Sequence, residues 1–123
     1  MSTEYKRLPQ LYKNLWAIFD GVKNRQDTEQ LRQVLVPRIE DKNGELVNVH
    51  LKIREDFYEA LTEFASCLKV ALQSATFFED KSFSEDDRRH YKETVKQFSS
   101  LRQLVQQDAG ERIDYDEYAE QVK

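Results

Sequence analysis

Phe57, Leu61, Phe64, Leu68, Leu72 and Ala75 follow one another at intervals of four, three, four, four and three residues. That spacing puts all six on one side of an α-helix through five turns. A helix from Lys52 to Thr76 is about 37 Å long and has one dry face that must be buried against other elements. No other feature constrains the fold as strongly, and it requires partners of similar length.

The segment opening at Ser84 supplies one. Tyr91, Val95, Phe98, Leu101 or Arg102, and Val105 repeat at the same period. Ser84 stands three residues before Asp87, an approximate capping box, and Glu85 and Asp86 favour the positive end of the helix. Gly110 is a candidate stop. The link EDKSF, residues 79–83, is short enough that the two helices should pack antiparallel. A further helix begins near Leu8, with Leu11, Tyr12, Leu15, Ile18, Phe19 and Val22 on one face and Gly21 near its end. Asp27 or Thr28 can cap a short helix carrying Leu31, Val34 and Leu35, which ends before Pro37. Asp114 can cap a last one presenting Tyr115, Tyr118 or Ala119, and Val122. The expectation is an all-α, antiparallel bundle of about four to five helices in a single domain.

Residues 36–50 read differently. In VLVPRIEDKNGELVNVHL the apolar residues recur nearer every second position around Asn43-Gly44, a short hairpin signal. A small hairpin or extended loop is expected there, with an early helix start at Glu45 to Val49 as the alternative.

Composition limits the chemistry. With 23 acidic and 19 basic residues the formal charge is -4, so nucleic-acid contact has to be local. Cys67 is the single cysteine, which excludes an internal disulfide and fits a reducing, cytoplasmic compartment. The start MSTEYKRLPQLYKNLW lacks the apolar core of a signal peptide, and no run approaches the ~20 apolar residues of a membrane span. The three glycines precede Val22, Glu45 and Glu111, so the glycine-lysine step of a phosphate-binding P-loop is missing. His50 and His90 stand apart from other ligands at zinc-site spacing, and Cys67 reads as a packing residue. Glu-Asp-Lys occurs at 40–42 and at 79–81, the half-motif of a nuclease metal site, but on stretches read as loop or helix end rather than strand. No catalytic residue, cofactor site or metal site is expected in the chain.

One stretch could hold phosphates or a partner. Arg88, Lys92 and Lys96 are spaced by four, with Arg89 beside them, a positive stripe about two turns long. An ordinary solvated face with Glu85 paired to Arg89 fits the same residues. The aromatic residues Phe57, Tyr58, Phe64, Phe77, Phe78, Tyr91 and Phe98 read mainly as core rather than as a base-stacking platform.

FYEALTEFASCLKVALQSATFFED and YKETVKQFSSLRQLVQQDAGERIDYDEYAEQVK resemble the helical region near the C-terminus of R subunits of type I restriction enzymes. The resemblance is carried by Phe57-Tyr58-Glu59, Leu61, Phe64, Leu68, Ala71-Leu72 and Ser74, then by Tyr91-Lys92, Phe98, Leu101-Arg102, Val105, Ile113-Asp114-Tyr115 and Tyr118. LWAIFDGVKNRQDTEQLRQVL is similar more weakly. The resemblance implies a piece of a much larger chain, an ATP- and magnesium-dependent motor and deoxyribonuclease. It also implies docking on a methyltransferase core of modification and specificity subunits and bracing of the motor domains, with DNA reached through the whole complex. None of that family's nuclease or motor motifs stands here, so it transfers no catalytic residue.

Overall fold

Pro9 lies in the first turn of helix α1 (Leu8–Ala17), where its missing N–H leaves no helical hydrogen bond unmade. The computed structural model describes residues 4–35 and 44–112, with side chains described for 4–35 and 52–107. A 3-10 turn, Glu4–Arg7, precedes α1. After Ala17 the chain winds out through three tight turns, closed by Phe19, Asp20 and Val22 amides donating to Trp16, Ala17 and Phe19 carbonyls. Gly21, at φ 92°, makes the exit in a left-handed conformation that a side chain would disfavour. Helix α2 (Thr28–Leu35) is capped by Asp27, whose Oδ1 accepts from the Glu29 and Gln30 amides at 3.1 and 3.3 Å. Of the two cap candidates, the chain uses the aspartate.

Helix α3 spans Gly44–Ala71, so it starts earlier and stops sooner than its stripe predicts. Residues 44–50 are helical, which removes the hairpin reading there and bears out the early start; residues 36–43 lie outside the described residues. Leu46, Val49, Ile53 and Phe57 are three, four and four residues apart, so the apparent alternation also continues the helical stripe. Once a long helix is nucleated, adding such residues at its end is easy. At the other end, Gln73 and Ser74 amides donate to Val70 and Ala71 carbonyls, and Ser74 turns extended at φ −106°, ψ 121°. Leu72 is therefore half-buried and Ala75 exposed. Leu72 still packs on the core, and beyond it Phe77, on the short helix α4 (Ala75–Glu79), and Phe83 are buried.

Helix α5 (Glu85–Arg112) opens on a reciprocal capping box. The Ser84 amide donates to Asp87 Oδ2 and the Asp87 amide to Ser84 Oγ, both at 3.0 Å. It runs through Gly110 instead of ending there; an interior glycine costs about 1 kcal/mol relative to alanine but does not by itself end a helix. The helix expected from Asp114 lies outside the described residues.

Ring contacts give the directions. Phe57 meets Phe98 and Phe64 meets Tyr91, each at 5.7 Å, so α3 and α5 are antiparallel, as the short link requires. Tyr12 meets Phe64 and Phe19 meets Phe57, so α1 also opposes α3. Helix α2 packs on α3 and α5, and among the described residues there is no strand. The fold is an all-α bundle, as read from the sequence.

One end of the bundle is closed by Tyr5, Phe77 and Phe83, whose rings lie 5.2 to 5.8 Å apart. The Tyr5 hydroxyl donates to Asp80 Oδ2 at 3.0 Å and the Ser82 amide donates to Asp80 Oδ1 at 2.9 Å. The Ser82 amide, aided by Tyr5 and by the nearby Lys6 charge, holds the Asp80 carboxyl below its ordinary value.

Phe98 touches Trp16, Phe19 and Phe57. Phe98→Ala should therefore cost about 3–5 kcal/mol in urea denaturation; a loss below about 1 kcal/mol would show that the three helices do not depend on this ring. A depressed carboxyl pKa gives stability above the unfolded value that is lost as pH falls through the folded one. Asp80→Asn should thus lower the thermal midpoint at pH 7, with the gap from wild type closing below about pH 4.

Candidate functional site

Helix α5 presents the four basic residues singled out by the sequence, and the structure divides them. Arg88 is half-buried: its Nη1 donates to the Phe83 carbonyl at 2.7 Å, and its guanidinium lies over Phe78 at 5.4 Å and Phe77 at 5.9 Å. It serves the closed end of the bundle, where a fixed cation covers aromatic faces. Arg89 pairs with Asp86 at 2.9 Å, one residue away from the expected partner Glu85. Lys92 and Lys96 are exposed. The stripe is thus two engaged guanidiniums followed by two solvated ammonium groups.

Phe78 is the exposed member of the aromatic set, at 48 %; Tyr58 is half-buried and the rest are core. Tyr58 has its hydroxyl buried and the Arg102 guanidinium 4.7 Å over its ring. Burial pushes its pKa up, against the opposing charges of Arg54 and Arg102.

The candidate reactive groups are placed as follows. Cys67 is buried against the N-terminal turn, with Sγ donating to the Glu4 carbonyl at 3.2 Å. Burial raises its thiol pKa despite Arg7, the opposite of what a thiolate nucleophile needs. His90 Nε2 is 2.6 Å from the Tyr12 hydroxyl, a bridge between α5 and α1. In the second Glu-Asp-Lys triplet, Asp80 is occupied with Tyr5 and Ser82; the first triplet and the His50 side chain lie outside the described residues. Among the described residues no three His, Cys, Asp or Glu side chains group as metal ligands, and no helix is long and apolar enough to cross a membrane.

Two open grooves follow helix α3, one on each flank. Between α1 and α3 lies one of about 270 Å³, walled by Asp56, Glu59 and Glu63 over Leu11 and Ile18. Between α3 and α5 lies one of about 440 Å³, walled by Thr62, Ala65 and Ser66 on one side and Ser99, Gln103 and Gln106 on the other. Three carboxylates of α3, Asp56, Glu59 and Glu63, thus line the flank facing α1, whereas the α3 residues that wall the other groove are uncharged. Sequence reasoning passed over this division because it sought apolar periodicity; the three-to-four spacing of the polar residues carried the signal.

These surfaces suit docking, with polar side chains that can hydrogen-bond and solvated charges that can select a partner. Compared with protein-family models, with curated proteins and with solved structures, the chain matches none.

Arg88→Ala should lower stability by about 1.5–3 kcal/mol, the worth of a charge-assisted hydrogen bond, whereas Lys92→Ala and Lys96→Ala should each stay within about 0.5 kcal/mol of wild type. Thermal melts of the three variants decide this; equal effects would mean that Arg88 is a surface cation like the others.

Proposed function

We propose that this chain is a non-catalytic assembly domain of the R subunit of a type I restriction enzyme. In this reading it works in the cytoplasm, docks on the methyltransferase core of modification and specificity subunits, and braces the ATP-driven translocase and nuclease domains of the same polypeptide. DNA is met by the whole complex, and ATP and magnesium serve domains other than this one.

One observation carries the reading. The described parts of the two stretches that resemble the family fall on α3, α4 and α5, and Phe57, Leu61, Phe64, Leu68 and Ala71 share one core with Tyr91, Phe98, Leu101 and Val105. Those nine positions of likeness are thus packing positions of a bundle, which supports a helical brace more than a fragment of an active site. The surface they leave outward is grooved and mostly polar, with Val70, Phe78 and Leu104 exposed on it, which suits a part that transmits contacts.

The 123-residue chain should hydrolyse no ATP and cut no DNA, and should be captured by an immobilised modification–specificity core or by the motor domains supplied in trans. Failure of capture by both sinks the proposal.

A further inference from the structure

Thr62, Ala65 and Lys69 continue from Tyr58 along α3 at intervals of four, three and four. Across the groove, Lys92, Lys96, Ser99, Gln103 and Gln106 continue along α5 at four, three, four and three. Each row is the heptad-like edge that a helix presents to a neighbouring helix. The opposite side of the same pair shows what such edges accept: α1 lies there with Leu8, Leu11, Leu15 and Phe19 buried at intervals of three, four and four. The α3–α5 pair therefore seats α1 on one side, and α2 packs on both helices as well. The seat along Thr62, Ser66, Ser99, Gln103 and Gln106 is left as open groove among the described residues.

The free seat is built for a different occupant. Leu61 forms an apolar floor and Ala65 a low wall, but the rims are Thr62, Ser66, Ser99, Gln103 and Gln106. Arg102, leaning over Tyr58, closes one end. Toward the other end the charges are cationic: Lys69 on α3 and Lys92 and Lys96 on α5, all exposed. On the same rows the carboxylates, Glu55 and Glu85, stand seven residues before Thr62 and Lys92, and one further carboxylate, Glu93, stands three residues before Lys96 and leaves the three lysines in excess. The acidic wall of Asp56, Glu59 and Glu63 lies on the other flank.

We infer that the groove between α3 and α5 seats an α-helix of a partner protein, small and polar along its middle and bearing carboxylates where it passes Lys69, Lys92 and Lys96. This rests on the assembly reading and names its docking face. Charge complementarity selects an acidic occupant. Shape selects a helix: antiparallel neighbours about 8–10 Å apart leave a channel that a side-chain ridge can enter, whereas a DNA duplex, whose major groove alone is about 12 Å wide, could only lie across its rim.

The test uses the 123-residue chain and two fluorescein-labelled, alanine-based helical peptides of about 20 residues, about 30 Å long, one with glutamate and one with lysine at every fourth position. Anisotropy should show binding of the glutamate peptide, weakened by salt, and not of the lysine peptide. Ser66→Trp fills the groove from an exposed position and should abolish binding with an unchanged thermal midpoint. The triple variant Lys69→Glu, Lys92→Glu, Lys96→Glu should weaken it about tenfold or more, three exposed pairs being lost.

Equal binding of both peptides overturns the inference, as does glutamate-peptide binding that survives Ser66→Trp. So does binding of a labelled DNA single strand or duplex through the three lysines when the glutamate peptide does not bind. Capture by the modification–specificity core separates the two proposals. If the core captures wild type and Ser66→Trp equally, the groove is wrong and the assembly reading stands. If nothing captures the chain but the peptide result holds, the assembly reading is wrong and the groove stands.

Discussion

The bundle is organised around one ring. Phe98, fully buried on α5, stacks on Phe19 with planes 7° apart at 5.5 Å and meets Trp16 and Phe57 edge-on at 4.8 and 5.7 Å. Those partners come from α1, from the turn that ends it, and from α3, so a single residue sets the spacing of three segments. Offset and edge-on aromatic pairs add about 0.5–1.5 kcal/mol each beyond the area they bury, and they have preferred geometry. An aliphatic side chain at this point could fill the volume but would leave the helices freer to slide. From here the ring contacts run on without a break: Trp16 to Tyr12, Tyr12 to Phe64 and Tyr91, Tyr91 to Phe83, and Phe83 to Phe77 and Tyr5.

The closed end shows how polar groups finish what this aromatic series begins. Phe77 can lie beneath the bundle only if α3 stops at Ala71, and the stop leaves amides and carbonyls that need partners. Asp80 takes the Ser82 amide and the Tyr5 hydroxyl, Arg88 takes the Phe83 carbonyl, and Ser84 and Asp87 exchange bonds to start α5. In consequence α5 has little freedom in where it begins. Its inward row, Tyr91, Phe98 and Val105, is thereby aligned with Phe64 and Phe57 from the first turn.

Most of this bundle was legible in the sequence, because three-to-four periodicity reports directly on which residues share a dry face. The α5 stripe, the Ser84–Asp87 cap and the antiparallel pairing of the long helices were all readable from local pattern. What local pattern could not decide was competition between neighbours. The spacing of Leu72 and Ala75 fits the α3 stripe, yet Phe77 and Phe83 bury more and draw the chain out of the helix before them. Residues 46–51 fit strand and helix periods alike, and the long helix beside them decides the matter. The basic stripe was visible as charge, but that Arg88 serves the fold while Lys92 and Lys96 face solvent depends on Phe83, Phe77 and Phe78 being nearby. The grooves were hidden for a simpler reason: they are spaces between elements, and polar rows carry no weight in a search for cores.

Trp16 is the only tryptophan of the chain. It lies on α1, 8 % exposed, with its ring against Phe98 of α5 and the Arg25 guanidinium 5.4 Å from its ring centre; its indole N–H finds no hydrogen-bond partner among the described residues. An indole held in that way has surroundings set by the seating of α1. Its ultraviolet fluorescence is therefore a built-in optical reporter of whether the first helix is docked. Events in the groove on the far side of the α3–α5 pair reach it through Phe98 of α5 or by disturbing that docking.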